Sequence, residues 1–463
     1  NQIENNVGAY VIARQSEHDS DATSANVTIG EKVFVVTGHS AGGIVGNSYQ
    51  YDGASALSSH NLSTTDFSTS DWINLGAVNS SIIVDGAVKV EATDSVNAVV
   101  VTGGIGIALN GTGIGAAVSV NLIENSTIAQ VDNSTLESTT AGLDVTAIAD
   151  SSLVAVSVGA AGGKSFAFGG SVSVNELENI IEAKVTGGSD LDAVNNINIQ
   201  AADSTSMIVI SGGLAVGGSA VGAGVGTVEV DNQIRAQVVD STVSSSAGNV
   251  NVTAGFAPSG SAQDLTGTGV ATADLPDEID TSSQIINISV AGAASSQFAA
   301  GAAISLNWLK NTVEASIIDS TVRAAGDVNV KARDDADLIS VALGVGIGGS
   351  VGVGAAVSYN YIGGDPGDPS RTDTPPNDAS LNSGVVKAII DNSNVDALAG
   401  DVNLLAETDA KIINVTIGAA GASTAIAGSI SINFMKMEVD AVIKGGAVVN
   451  AGEEVTLTST ASP

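Results

Sequence analysis

Charge-free stretches recur along the chain and are separated by polar ones. Five stretches contain no Asp, Glu, Lys or Arg, and a sixth, 151–175, contains only Lys164; the five are 96–123, 204–228, 281–309, 338–364 and 412–435. Within 345–348 and 351–354, Val or Ile alternates with Gly. A period of two predicts β-strands, and the glycine content excludes helices. We expect Val and Ile to face inward and Gly and Ala to form a flat, uncharged outer surface.

A segment of the form V-x-V-x-A marks an internal repeat. Its central residues are separated by 55, 54, 53, 78, 74 and 53 residues; they are Val90, Val145, Ile199, Val252, Val330, Leu404 and Leu457. The two long intervals contain stretches rich in turn-forming residues, 255–280 and 363–383. Because the strands recur with no helical pattern between them, the repeat predicts an all-β fold. The expected form is a β-solenoid of the parallel β-helix type, with about 54 residues per unit.

This fold has a predicted domain organisation. We expect one continuous solenoid over 1–463, with an insertion in the first repeat at 12–77 and loop insertions at 255–280 and 363–383. Each unit is expected to form two rungs of roughly 27 residues. A flat Gly and Ala surface needs a partner sheet at short distance. That partner is either a second sheet of the same solenoid or the face of another chain.

Composition narrows the function classes. The chain has 49 acidic and 15 basic residues, a formal charge of −34, and no cysteine. This charge repels nucleic acids and anionic membranes, and the lack of cysteine excludes disulfide and thiolate chemistry. The neutral stretches are long enough to span a bilayer, but their period of two and their Gly, Ser, Asn and Thr content argue against spanning helices. We expect an extracellular or cell-surface protein.

The repeat unit resembles those of a known class of proteins. The pattern GG-x-x-A-x-G-G-S-V-S-V-N-x-x-x-N-x-x-x-A-x-V, continued by V-x-I-x-A, is carried by Gly169 to Ala201 and recurs over most of the chain. It is similar to the repeats of very large secreted haemagglutinin-like bacterial exoproteins and adhesins. A Tyr- and Trp-containing segment in the first insertion is also similar to one that interrupts such repeats. The resemblance implies a β-solenoid surface or fibre protein and not an enzyme.

Asparagine recurs at the end of one strand in each unit. The motif V-S-V-N and its variants place there Asn121, Asn175, Asp231, Asn307, Asn360 and Asn433. Stacked amides hydrogen-bond along the axis of a solenoid. We therefore expect a structural ladder at these six positions.

Acidic residues also recur and raise the question of calcium. One expected column contains Asp94, Asp150, Asp203, Asp337 and Asp409, and a turn reading D-x-S/T or D-N-S contains Asp132, Asp240, Asp319 and Asp391. Stacked carboxylates repel one another unless cations lie between them. Asx turns with solvated charge are the simpler interpretation. The best calcium candidate is the set in the last insertion, Asp365, Asp368, Asp373 and Asp378; no other cofactor is expected.

Candidate catalytic residues are few. The three histidines, His18, His39 and His60, all lie in the first insertion, and no nucleophile elbow, zinc-protease motif or P-loop accompanies them. We interpret them as surface polar residues and expect no enzyme activity. The alternative is a carbohydrate-binding or carbohydrate-cleaving β-helix protein whose insertions line a groove.

The expected function is structural. Residues 1–5 match 121–125, so the chain opens just after a neutral half-unit and closes at Pro463 before the next. Exposed strand edges associate. We expect a segment or subunit of a cell-surface fibre or giant adhesin, whose partners are copies of itself or adjoining repeats, head to tail and laterally. Surface glycans are a further possible partner, whereas nucleic acid and membrane insertion are not expected.

Overall fold

The fold is all-β and solenoid-like, with long parallel strands. The structure, a computed structural model, describes residues 1–12, 16, 18–77, 80–256, 284–363 and 384–462. Strands are numbered β1 to β29 in chain order, and the helix in the described residues is one 3-10 turn, Leu62–Thr64. None of the described residues forms a helix with the length and apolarity needed to cross a membrane.

Two parallel sheets run the length of the molecule. The large sheet contains β1 (Gln2–Ile12), β9 (Val88–Ala108), β10 (Thr112–Asp132), β12 (Leu143–Thr186), β14 (Ile197–Val239), β16 (Val250–Phe256), β17 (Gln284–Ile318), β19 (Val328–Asp334), β20 (Asp337–Gly348), β21 (Val351–Ile362), β22 (Gly384–Asp391), β24 (Val402–Thr408), β25 (Lys411–Gly421), β26 (Thr424–Met435), β27 (Met437–Lys444) and β29 (Val455–Ala461). The second sheet contains the short strands β8 (Ser80–Val84), β11 (Ser134–Ser138), β13 (Asp190–Ala193), β15 (Thr242–Ser245), β18 (Thr321–Ala324), β23 (Asn394–Ala397) and β28 (Val448–Ala451).

The parallel register links positions about one repeat apart. Leu143 pairs with Ile197, Ile197 with Val250, Val250 with Val328, and Val328 with Val402. Ile197 follows Leu143 by 54 residues, and because the two strands pair directly, no strand from the intervening residues lies between them. The expectation of two rungs of 27 residues is therefore wrong: the other half of each unit faces the first half and does not stack beside it.

The course of the chain through 143–196 illustrates the architecture, and we call this stretch a rung. Residues 143–152 form one side of the core, and the strand then continues outward as an exit arm, 153–163. The chain reverses at Lys164 and Ser165, where the sheet register shifts, and returns as a return arm, 166–175. Residues 176–186 and β13 complete the core. In the described part of the chain, six rungs of this kind begin at Val88, Leu143, Ile197, Val250, Val328 and Val402.

The core of each rung is closed by a turn that needs a left-handed backbone. Stacked at this position are Asn133, Gly187, Asp240, Asp319, Asn392 and Gly445, with φ between 46° and 68°. Asn, Asp and Gly tolerate this conformation better than other residues. The predicted turn is thus present at Asp240 and Asp319, whereas Asp132 and Asp391 lie one residue earlier, at the ends of strands.

A second corner locks neighbouring rungs together. The side-chain oxygen of Asn249 accepts a hydrogen bond from the backbone N–H of Asp327 (2.8 Å), and Asp327 accepts one from the N–H of Asp401 (2.9 Å). Asp401 in turn accepts from the N–H of Glu454 (2.8 Å). Each of these side chains therefore caps the turn of the next rung, so the carboxylates at this corner have a structural role.

The first insertion forms its own small β structure. Its strands are β2 (His18–Asp19), β3 (Ala25–Val27), β4 (Lys32–Phe34), β5 (Asn47–Tyr51), β6 (Leu57–His60) and β7 (Trp72–Ala77). They enclose a separate cluster with Tyr49, Tyr51, Phe67 and Trp72. Of the other two predicted insertions, Gly255 and Phe256 belong to β16 and Gly363 to the bend after β21. The remainder of 255–280 and of 363–383 lies outside the described residues.

Candidate functional site

The exit and return arms of all six rungs form a thin, two-layered projection, which we call the blade. It comprises the exit arms 98–108, 153–163, 207–217, 285–295, 338–348 and 412–421 and the return arms 112–121, 166–175, 219–228, 298–307, 351–360 and 424–433. These ranges contain no Asp, Glu, Lys or Arg, and Lys164 lies at a tip between two arms. Nearly all of the chain's charge is therefore on the core, on its loops and on the insertions.

The two layers of the blade lie unusually close together. A methyl group built on Gly159 would overlap the carbonyl oxygen of Gly170 in the opposite arm, and one on Gly344 would overlap that of Ala355. The other inward positions are mostly Ala and Ser, which form small buried clusters. Backbones in such contact are closer than the ~10 Å usual for stacked sheets. Larger residues such as Leu153, Val209 and Asn287 are buried at the base of the blade, and towards the tips the interior holds mostly Gly, Ala and Ser.

The orientation expected from the sequence is therefore wrong in the blade. Away from the base of the blade, Val, Ile and Leu point outward from the arms, and most of the inward positions are Gly or Ala. The odd-numbered residues point inward along the whole strand: Leu143 and Val145 point into the core, and Gly159 and Ala161 point into the blade. The large side chains lie at odd-numbered positions in the core and at even-numbered positions in the blade, because the interior of the blade has no room for them.

The outer side of the exit arms, which we call the exit face, is apolar throughout. Each of the six exit arms has five outward positions, and every one of them is Val, Ile, Leu, Ala or Gly. In the fifth rung they are Ile339, Val341, Leu343, Val345 and Ile347. In the first rung the side chains of Val101 and Ile105 are 73% and 77% exposed. A soluble protein rarely exposes a contiguous apolar surface of this size without a use for it.

The outer side of the return arms, the return face, is less uniform. It contains exposed Ile114, Val118 and Ile430, but also Thr112, Ser219, Thr227 and Thr424. An aromatic row crosses its base, where the ring centroids of Trp308 and Tyr359 are 5.9 Å apart and those of Tyr359 and Phe434 are 6.0 Å apart. The two faces therefore differ in polarity.

The predicted asparagine ladder lies at the inner base of the blade. Asn121 Nδ2 donates to Asn175 Oδ1 (2.7 Å), Asn307 to Asn360 (2.7 Å), and Asn360 to Asn433 (2.7 Å). The ladder also extends to Asn1, which donates to Asn121 (2.9 Å). Asn121, Asn175, Asn307 and Asn360 are buried, whereas Asn1 and Asn433 are exposed. Because the buried amides pair with one another, they keep hydrogen-bond partners inside the protein.

Asp231 does not belong to this ladder. Asn175 pairs in register with Val228, which in turn pairs with Asn307. Asp231 lies on the outer face of the core beside Glu178, and its Oδ2 forms an ion pair with Lys310 Nζ at 2.7 Å. The misassignment has a simple cause: V-E-V-D looks like V-S-V-N but follows Asn175 by 56 residues, whereas the residues of β12 and β14 that pair with each other are 53 or 54 apart. Val228 interrupts the ladder, and Asn287 from the exit arm donates to Asn307 there (2.8 Å).

Two further ladders were not predicted. One is inside the core, where Asn125 donates to Asn179 (2.9 Å) and Asn232 donates to Asn311 (3.1 Å). The other is a row in which Asn198, Asn251, Asn329 and Asn403 each donate to the preceding rung, the first to Asp144. These ladders correspond to the recurring segments N-x-x-x-A and V-N-V. Their constant offset of about one repeat could have revealed them from the sequence.

Buried carboxyl groups face the ladder in the core. Asp203 accepts hydrogen bonds from Thr205 (3.1 Å) and Asn179 (3.3 Å), and Asp334 accepts one from Asn311 (2.9 Å). Burial raises the pKa of each of these two carboxyl groups to about 7. They are separated in the stack by Phe256. Neighbouring rungs therefore do not place two of these acids side by side.

The expected acidic column is only partly correct. Asp94 and Asp203 both pair in register with Ala149, whereas Asp150 is one residue further along and pairs with Ser95 and Ser204. A shift of one residue places a side chain on the opposite side of the sheet. The predicted calcium residues, Asp365, Asp368, Asp373 and Asp378, lie outside the described residues. Among the residues that are described, no three His, Cys, Asp or Glu side chains are grouped so that they could hold a metal ion.

The three histidines make separate contacts within the first insertion. His18 Nε2 is 3.1 Å from Glu31 Oε2, whereas His39 and His60 each approach Thr65, at its carbonyl and hydroxyl oxygens respectively (3.0 Å for both). A shallow cavity of about 430 Å³ in the same insertion is lined by Tyr49, Phe67 and Trp72, which are themselves largely buried, and none of the three histidines lines it.

The molecule thus offers surfaces for association: an apolar exit face, a mixed return face and open strand edges. Comparison of the chain with protein-family models, with curated proteins and with solved structures finds no match.

Proposed function

We propose that this chain is a structural extracellular module, a segment or subunit of a cell-surface fibre or giant adhesin. In it, a repeat unit of about 54 residues forms one rung, and rungs of adjoining repeats or of a second copy stack along the axis. The proposal includes no catalytic role and requires no cofactor; calcium at Asp365, Asp368, Asp373 and Asp378 stays a prediction. The resemblance to haemagglutinin-like exoproteins supports the proposal.

The observation that carries the proposal is the pairing of the end rungs. In the described residues, β9 pairs only with β12, while β25, β26 and β27 each pair on one side with the fifth rung. The backbone groups on their other sides are in position to pair with a further parallel strand. Such open edges accept another strand readily.

The last core strand, β29, also leaves core side chains uncovered. Leu457, which stacks on the buried Leu404, is 45% exposed. A further rung stacked on β29 would bury it, just as β24 buries the side chains of β19. Axial stacking therefore extends the hydrophobic core as well as the hydrogen-bond ladder.

The experiment compares the assembly of three forms of the chain by sedimentation velocity and negative-stain electron microscopy. We expect the parent to form filaments that lengthen with concentration, and Leu457→Lys to prevent this because stacking would bury a charge. Thr458→Lys is the matched control, since this neighbour points outward, and it should assemble like the parent. Stacking at this edge would be contradicted if the particles had the length of a single molecule at every concentration. It would also be contradicted if both lysine variants assembled to the same extent.

A further inference from the structure

We propose that the exit face of the blade is a docking surface for the exit face of a second copy of this chain. The proposal deepens the proposed function and rests on it, because it supplies the lateral contact between neighbouring solenoids in a fibre. It assigns that contact to the Val and Ile side of the blade, not to the Gly and Ala side expected from the sequence.

The area of the face fits a stable pair. Five outward positions span nine residues of strand, about 30 Å at ~3.3 Å per residue, and six rungs at ~4.8 Å span about 29 Å. The face therefore presents about 850 Å² to a partner, compared with about 800 Å² per partner in a standard specific interface.

The chemistry of the face favours a copy of itself. None of its outward side chains has a hydrogen-bonding atom, so it offers no polar group that would select a different protein. Its columns of Val and Ile have the same strand spacing in both partners, and Gly103, Gly212 and Gly292 leave notches between them. Two such faces related by a twofold axis can interdigitate as in a dry sheet-to-sheet interface.

Charge does not oppose the contact. Each chain has a formal charge of −34, which would repel a second copy at close range. However, the blade is charge-free over about 30 Å, which is several times the Debye length of ~8 Å at physiological ionic strength. The contact is therefore screened from the acidic cores.

A bilayer is a poorer occupant for the same surface. In the described residues the first and last arms, such as Thr424–Met435, pair on one side only. Hydrocarbon offers no partner to the unpaired N–H and C=O groups of an open sheet edge. A second copy leaves these edges in water.

The first experiment measures mass in the Leu457→Lys background, where axial stacking is expected to be blocked. We expect dimers at physiological ionic strength by sedimentation velocity. The double variant Ile210→Lys/Val341→Lys, on the exit face, should weaken dimerisation at least about 100-fold, because it buries charges in an apolar interface. Val225→Lys/Val357→Lys, the matched pair on the return face, should dimerise like the parent.

A second measurement does not depend on lysine variants folding. The chain has no cysteine, so Leu214→Cys introduces a single thiol on the exit face and Val225→Cys one on the return face. Oxidation should link Leu214→Cys chains into dimers and leave Val225→Cys chains unlinked. If both cysteine variants were linked equally, the contact would use no specific face and the proposal would be overturned. If the parent were monomeric and floated with phosphatidylcholine vesicles, the exit face would bind a lipid surface instead of a second copy.

The two proposals fail separately. Filaments that remain single and unpaired would contradict exit-face docking and leave axial stacking intact. If Leu457→Lys formed dimers but the parent never formed filaments, axial stacking would be contradicted and exit-face docking would stand.

Discussion

The core and the blade are built from the same strands but bury opposite kinds of residue. In the core, Leu143, Val145 and Ile199 point inward, and most charged residues point to solvent. In the blade, the inward positions are held by residues such as Gly159 and Ala215, and the outward ones by residues such as Val156 and Ile210. The core is stabilised by buried apolar area. The blade is held by close backbone contact, and its apolar area stays available to a partner.

The difference shows what sets the distance between two sheets. The core strands are joined by a third side, β13 and its equivalents, which holds them apart and makes room for Leu and Val. The blade has only a two-residue reversal at its tip, such as Lys164-Ser165, so its layers approach until their backbones touch. Small side chains are a requirement of that geometry.

The largest expected effect comes from filling the inside of the blade. Gly159→Val should lower the free energy of unfolding by more than about 4 kcal/mol, because its side chain meets backbone that no rotamer change can avoid. Gly162→Val is the control, since Gly162 is on the exit face, where a methyl group would meet only Ile107 at van der Waals distance. Thermal denaturation of both variants tests this, and equal stabilities would mean that the layers are not in contact.

The buried acids of the core should make stability depend on pH. Because the pKa of Asp203 is raised from 3.8 to about 7, folding favours its protonated form. The contribution of Asp203 to stability should be most favourable below pH 4, fall as pH rises from 4 to 7, and level off above 7. Asp203→Asn keeps the shape without the charge, so it should stabilise the chain by a few kcal/mol at pH 8 and change little at pH 4.

Denaturant midpoints at the two pH values measure this effect. Glu91→Gln serves as the comparison, because it removes a carboxylate from an exposed position on the first rung. A stability difference for Asp203→Asn that is the same at pH 4 and pH 8 would contradict ionisation of a buried acid.

Breaking the asparagine ladder should have an intermediate effect. Asn360→Val removes hydrogen bonds to Asn307 and Asn433 and should cost about 1 to 2 kcal/mol. The fold itself should persist, because Val228 already occupies the equivalent position in the third rung. Calorimetric unfolding of the variant checks this, and a loss of folding would show that the ladder is indispensable.

The smallest effect is expected at Asp231, which the ladder does not include. Asp231→Asn removes a partly exposed ion pair with Lys310, and such pairs contribute about 0 to 1 kcal/mol. Measured in parallel with Asn360→Val, it separates the ladder from the outer face of the core. A larger loss for Asp231→Asn than for Asn360→Val would reverse the assignment.

Periodicity predicted much of the fold. Alternation of Val and Gly gave strands, the repeated marks gave parallel stacking, and Asn121, Asn175, Asn307, Asn360 and Asn433 do stack. The error at Asp231 arose because a local motif outweighed the spacing. The two-rung expectation failed because a neutral half-unit can fold back against its other arm instead of stacking beside it.

The sequence by itself determined the strands, their approximate offset and the separation of neutral from charged surface, since each is a property of residue order and composition. Only the tertiary structure decided which side of each strand is inside. A period of two is the same whether Val or Gly faces inward, and the choice depends on how far apart the opposing backbones lie. That distance is set by contacts between residues such as Gly344 and Ala355, which only the folded chain brings together.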